Sequence, residues 1–403
     1  MTWDELRHRQ HRIVGVFLLA MTLSNLANVR RLTPLLRQGY QDFTIFYGAG
    51  KMVRDGQARR LYDLNLQYEI QQSFAPDVAN RRAALPYNHP PFEALLFVPL
   101  AHLRYFPAYL VWTCLNLIML AVSIGIARRV FSEGVRLNWL FVFVAASAFP
   151  PILIALVQGQ DSVLLLMLAV LSAALLATER DAMAGAILAL GLFKFQIALP
   201  LAVVLAARRP RLLLGFAPGA LVLGCVSAAM VGWSGLAGYA AYVLRLEKSG
   251  GGGSIPSVGM PNLHGLVASI AGAEAGSGWA LWLTIAASVA LLVAAAWFVA
   301  KHRPAPGLTF ATAIVAALMV SYHGLIHDMT LLLPAMLFLF FAREDGARRE
   351  MRMDAVSLML PYVIFWLFPE FPWLSPLWFV PMAVWILRRF RKYSPVREFD
   401  PVG

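Results

Sequence analysis

Residues 184–211 read AGAILALGLFKFQIALPLAVVLAARRPR. Two apolar runs, 183–194 and 196–207, flank Lys194, and Arg208, Arg209 and Arg211 close the stretch. An ammonium group in so apolar a setting either snorkels to an interface or meets an anion or a water-filled cavity. The stretch therefore reads as part of a membrane bundle. Each run is shorter than the roughly 20 residues of a normal crossing, so the pair is expected to be half-helices or to tilt within the bundle.

The rest of the chain follows the same pattern. Of its 403 residues 59% are hydrophobic, 12% aromatic and 14% charged, and mean hydropathy is +0.65. Soluble domains carry about 25% charged residues, so an ordinary soluble protein is excluded. Segment 13–29 follows Arg7, Arg9 and Arg12 and lacks a small-residue cleavage pattern, which makes it a retained first helix. Further runs at 106–127, 138–157, 162–177, 213–233, 279–300, 308–322, 329–342, 355–368 and 376–388 bring the expected crossings to twelve. The expected fold is a single all-α polytopic membrane domain over 1–403. Cys114 and Cys225 lie inside apolar runs and read as packing residues.

The net charge of +12 would raise nucleic acid as a partner in a soluble protein. In a membrane protein it marks cytoplasmic loops instead. Threading the twelve runs from a cytoplasmic N-terminus places 21 of the 34 lysines and arginines inside and ten in the 30–105 loop, which is long enough to translocate regardless of charge. Both termini are then cytoplasmic, and the large extracytoplasmic loops are 30–105 and 234–278. The basic tail 388–403 would contact anionic lipid. Residues 91–103 (PFEALLFVPLAHL) number only 13 and include Glu93, so they read as a re-entrant or interface-lying helix. SGGGGS at 249–254 is a flexible hinge by composition, and the segment from Tyr239 to Leu246 is amphipathic.

Ionisable groups at membrane depth are functional candidates by default. Asp42 precedes FTIFYGAGKMVR, whose Phe43, Phe46 and Tyr47 recur at helical spacing and suggest an amphipathic helix on the outer leaflet. Asp42 is either the N-cap of that helix or a general base. Lys194 either snorkels or binds phosphate. His323 and His327 share a helical face beside Asp328, but no Glu follows the first His, so the zinc-hydrolase HExxH pattern is absent and anion recognition by His327 is preferred. At 158–161 Gln160 is a polar candidate and Asp161 reads as the cap of the next helix. The turn Tyr87-Asn88-His89-Pro90-Pro91 and His264 complete the outer-face set.

Taken in order, Asp42 with FTIFYGAGKMVRDGQARRLYD, LPYNHPPFEALLFVPLA, QGQDSVLLLMLAV, the opening stretch and SYHGLIHDMTLLLP resemble glycosyltransferase family 87 of the GT-C superfamily, including its mycobacterial phosphatidylinositol-mannoside mannosyltransferases. The resemblance implies a GT-C-like bundle in the cell's inner membrane with an extracytoplasmic active site. It implies a polyprenyl-phosphate sugar donor, a glycolipid or polysaccharide acceptor, and inversion by direct displacement. Asp42 matches the catalytic position early in the first outer loop, and His327 matches a late-helix histidine near the donor phosphate. The substrate-binding set then comprises His327, Lys194, His323, Asp328, His89, Tyr87, Asn88, Tyr47, Gln160 and His264. The chain departs from the mycobacterial mannosyltransferase in carrying Asp328 where that relative has a second His, with His323 just upstream. No DxD triplet occurs, and no metal or other cofactor is expected. Mannose is the expected sugar. Arabinofuranose transfer and a lipid-linked-sugar transporter or flippase are the alternatives, the latter weakened by the lack of duplicated halves.

Overall fold

The computed structural model describes residues 3–39, 41–131, 139–249, 256–272, 276–341 and 348–393, and contains no strand among them. Its helices are α1 Trp3–Arg37, α2 Phe43–Arg54, α3 Leu64–Gln72, α4 Pro76–Arg81, α5 Ala94–Phe97, α6 Tyr105–Phe131, α7 Trp139–Ala148, α8 Pro150–Gln158 and α9 Ser162–Ala177. There follow α10 Asp181–Ala189, α11 Phe195–Arg208, α12 Leu213–Ser249, α13 Leu263–Ala271, α14 Gly278–His302, α15 Pro306–Val320, α16 Leu332–Phe341, α17 Arg348–Trp366 and α18 Phe379–Tyr393.

Several long helices turn apolar side chains outward. Val16 on α1, Leu214 on α12 and Trp282 on α14 are each about 70% exposed, and Leu23, Leu221, Val289 and Val293 are exposed beside them. Apolar surface on this scale needs lipid as its solvent. By length and apolar composition five stretches qualify as membrane spans: Arg12–Arg37, Tyr105–Val130, Asp181–Arg208, Pro210–Leu246 and Gly278–His302. The pair Leu140–Ala148 and Pro150–Gln158, bent by 68°, makes a sixth if counted as one. Pro150 and Pro151 account for the bend, since neither supplies the N–H that a continuous helix requires. The twelve runs counted from hydropathy differ from this number because several form short helices, among them Ser162–Ala177, Pro306–Val320 and Ser357–Trp366.

The stretch around Lys194, which qualifies by length and composition, does not cross as one straight helix but folds back on itself. Glu179 and Arg209, at its two ends, approach to 3.9 Å, whereas a straight helix between these positions would separate them by about 45 Å. Residues 190–195 make the turn between α10 and α11, with Lys194 at its tip. The start of α12 packs against α10 at backbone distance: a Cβ on Gly185 would meet the Leu212 carbonyl oxygen at 1.9 Å, and one on Gly215 the Ala182 oxygen at 1.7 Å. Small residues allow this close approach of helices in a membrane.

The helix ends sort into two groups. At one end Arg208 donates to the Pro304 carbonyl and to Thr309, and Arg209 faces Glu179. This brings the connections 178–182, 208–212 and 301–307 together. At the other end the start of α6 reaches the 156–159 turn through Tyr109 and Trp112, and α12, interrupted at Gly232 (φ +76), reaches the first large loop through Tyr239 and Tyr242.

Two expectations about that first loop change. The aromatic face of α2 meets protein and not lipid: Phe43, Phe46, Tyr47, Ala49 and Met52 are buried against Phe97, Tyr105, Tyr109 and Trp112, because the 30–105 loop is long enough to supply its own core. Residues 91–103 form short turns, including α5, and not one helix; Pro90, Pro91 and Pro99 interrupt regular hydrogen bonding there. Of the composition-based readings, the 249–254 hinge lies outside the described residues from 250 onward and the basic tail from 394 onward.

Candidate active site

Asp42 sits at the start of α2 with helical backbone angles, and its side chain makes no capping bond. The N-cap reading is therefore set aside. Instead Gln160 Nε2 donates to Asp42 Oδ2 at 2.6 Å, while Oδ1 has no hydrogen-bond donor among the described residues. Asp42 is half-buried. Burial raises its carboxyl above the ordinary value, partly offset by the Gln160 hydrogen bond and the Lys194 charge.

The Gln160 contact depends on Gly159. α8 ends there with Gly159 at φ +64, a region open to glycine at little steric cost. Its absent Cβ also makes room for Phe43, whose Cβ would lie 2.7 Å from one built on residue 159. Trp112 Nε1 donates to its carbonyl at 2.9 Å. The residue next to Asp42 thus packs on the residue next to Gln160. Gly159→Ala should destabilise the protein by about 1–3 kcal/mol and weaken the Asp42–Gln160 contact, to be read from the thermal midpoint and activity of the purified variant. An unchanged midpoint would show that this turn tolerates a side chain.

Lys194 does not snorkel. Its buried ammonium lies 2.5 Å from Asp328 Oδ1, 2.9 Å from Ser162 Oγ, 3.0 Å from Asp161 Oδ1 and 3.3 Å from Gln160 Oε1. Four acceptors thus surround three ammonium protons. Asp161 uses its side chain here and not to cap α9. Burial pushes Asp161 and Asp328 up, but Lys194 together with Glu93 and His89 at Asp161, and with His327 and the Leu325 N–H at Asp328, outweighs it, and both fall below the ordinary carboxylate range. Asp328 is further fixed by Ser162 Oγ at 2.9 Å and by the Leu325 N–H at 2.9 Å.

His327 is buried; its Nδ1 lies 2.9 Å from Gln158 Oε1 and its Nε2 3.5 Å from Asp328 Oδ1. Burial lowers its pKa to about 3, so the imidazole is neutral. His89 is likewise lowered by burial, to about 4; its Nδ1 is 2.8 Å from Glu93 Oε2 and 3.9 Å from Asp161 Oδ2. The Tyr87 hydroxyl donates to the Pro90 carbonyl at 2.9 Å and lies 3.3 Å from Glu93 Oε2. Burial, then the neighbouring Asp161, pushes Glu93 well above the ordinary value.

The structure therefore gathers Asp42, Gln160, Asp161, Lys194, His327, Asp328, His89 and Tyr87. His323 is close enough to interact electrostatically with Asp328 and Lys194. The remaining candidates stand apart. The Tyr47 hydroxyl is spent on the Leu103 carbonyl, Asn88 contributes its backbone carbonyl to Tyr239, and His264 stacks on Tyr322 at 4.2 Å. Sequence reasoning missed Glu93 and Ser162. Glu93 carried a usable signal, a single carboxylate within an apolar run.

A model of glycosyltransferase family 87 matches residues 87–322, more than half of the chain. The chain belongs to glycosyltransferase family 87. No curated protein and no solved structure matches it. As a member of this family it is a membrane-embedded glycosyltransferase with a sugar donor and an acceptor. The family match includes His89, Glu93, Asp161 and Lys194, whereas Asp42, His327 and Asp328 lie outside the matched residues and join them only in three dimensions.

Proposed function

We propose that this family 87 enzyme transfers a single sugar, mannose, from a polyprenyl-phosphate donor to an acceptor hydroxyl at the extracytoplasmic face of the inner membrane, with inversion. The observation that carries the reading is the state of Asp42: one carboxylate oxygen is anchored by Gln160 and the other is free to take a proton. The acceptor oxygen attacks the anomeric carbon, its proton passes to Asp42 Oδ1, and the bond from the anomeric carbon to the phosphate oxygen breaks, releasing polyprenyl phosphate. The clustering of basic connections at the opposite end of the bundle supports a cytoplasmic placement for that end and an external placement for the site.

His327 is the residue assigned to the donor phosphate. Lys194 has already committed its protons to protein acceptors, so its part is to hold Asp161, Asp328 and Gln160 in place. A phosphate beside His327 would favour its protonated form and a charge-assisted hydrogen bond. His327→Ala should raise the donor KM by about ten- to a hundredfold, the equivalent of a hydrogen bond to a charged group, with a smaller effect on kcat. An unchanged donor KM would remove this assignment.

The reading is tested by supplying purified protein with labelled polyprenyl-phosphate-mannose and polyprenyl-phosphate-arabinose together with membrane acceptors. Transfer from the mannose donor is expected. Transfer from the arabinose donor alone would replace the sugar, and transbilayer movement of intact donor without transfer would replace the reaction by transport.

A further inference from the structure

His89, Glu93 and Asp161 each place a potential ligand atom within 4.8 Å of the other two. Their positions are set by rigid chain. His89 and Glu93 flank Pro90 and Pro91, with the Tyr87 hydroxyl bonded across the turn. Asp161 stands at the junction of α8 and α9, fixed on its Oδ1 side by Lys194 at 3.0 Å. Two oxygens are left over: Glu93 Oε1 and Asp161 Oδ2 are buried, and among the described residues no N–H or hydroxyl group donates to either, so their partner is a cation or a proton held between the two carboxyls. A buried carboxylate oxygen without a donor is costly, and two of them beside one imidazole need a shared partner.

The charge balance points the same way. Asp42, Glu93, Asp161 and Asp328 stand around one ammonium, that of Lys194, among the described residues whose charges act on this cluster. A divalent ion between Glu93 and Asp161 would add positive charge there and fill the gap between the two buried oxygens.

We propose that His89, Glu93 and Asp161 form a divalent cation site at the edge of the active site. Two carboxylate oxygens and one imidazole nitrogen suit Mn²⁺ or Mg²⁺, with the nitrogen favouring Mn²⁺ over the oxygen-seeking Ca²⁺. Three protein ligands leave further positions to water or an anionic oxygen of a substrate. This replaces the metal-free site expected from sequence, where His89 and Glu93 were not read as a pair and Asp161 was read as a helix cap. The proposal concerns binding by the resting protein and does not depend on the identity of the sugar donor.

The test uses the full-length protein in nanodiscs, stripped with chelator and titrated with Mn²⁺ while free ion is followed by its electron paramagnetic resonance signal. One Mn²⁺ per chain is expected. Glu93→Gln, which keeps the side chain's shape, and His89→Ala, at a partly exposed position, should each weaken binding by at least about tenfold, since loss of even an outer partner of a metal ligand costs ten- to a hundredfold. Thermal unfolding identifies any variant that fails to fold, in which case the other decides. Wild-type binding no tighter than that of the folded variants would overturn the site. A protonated-carboxyl infrared band present in Mn²⁺-saturated wild type and lost in Glu93→Gln would also overturn it, and would assign the gap to a proton shared between Glu93 and Asp161.

Discussion

Asp42→Asn is expected to lower the rate of sugar transfer by about 10²–10⁴-fold, the contribution of a positioned general base, which is the role proposed for Asp42, while expression and thermal midpoint should stay close to wild type. The expectation rests on an asymmetry in the geometry. The Gln160 amide donates to Oδ2 at 2.6 Å, and the asparagine carbonyl oxygen can accept that same hydrogen bond. What asparagine cannot do is take a proton from an acceptor hydroxyl. The pH profile separates this role from a structural one. Asp42 has its pKa raised, first by burial, and it must be ionised to act as a base. Wild-type kcat should therefore fall on acidification at pH values above the ordinary carboxylate value of 3.8, and the residual activity of Asp42→Asn should lack that limb. An Asp42→Asn enzyme with wild-type turnover would remove Asp42 from the chemistry and leave the Gln160 contact as packing.

The apolar runs and the interruption at Lys194 were legible because lipid imposes one rule on the whole chain: backbone groups must be satisfied within helices, and charges must be exceptional. The same rule led to Asp42, Lys194, His327 and Asp328. What the sequence did not reveal was pairing. Asp161 precedes a helix and fits the pattern of a cap, yet its carboxylate turns to Lys194, 33 positions along the chain. Capping is a local pattern and an ion pair is a tertiary one. α2 gave the opposite error, since an aromatic stripe has the same spacing whether it meets lipid or protein, and only the fold showed Phe43 and Phe46 packed on Phe97. Glu93 was visible as an odd residue in an apolar segment, but its partners His89 and Tyr87 became apparent only once the proline turn folded them inward.

Lys194→Met should destabilise the protein by about 3–5 kcal/mol, the range seen when one member of a buried pair is removed and its partner is left charged. The substitution keeps much of the apolar stem, so the loss reports on the ammonium. Asp161 and Asp328 are both essentially inaccessible to solvent and lose their shared counter-ion together. The pH dependence should reverse sign as well. In the wild type Lys194, with smaller help from His327 and the Leu325 N–H, holds Asp328 below the ordinary carboxylate value against the effect of burial. That contribution to stability is present above the unfolded value of 3.8 and fades as the pH falls through the depressed one. Without Lys194, burial dominates and raises the carboxyl, so its ionised form costs stability at neutral pH and protonation relieves the cost. The variant should therefore recover stability on mild acidification where the wild type gains none. Adding Asp328→Asn to Lys194→Met should restore part of the midpoint at neutral pH, because one of the unpaired charges is gone. Thermal midpoints of the three proteins across a pH series would measure all of this. A Lys194→Met midpoint equal to wild type at neutral pH would mean that water reaches the carboxylates and that Lys194 is not the residue that holds the site together.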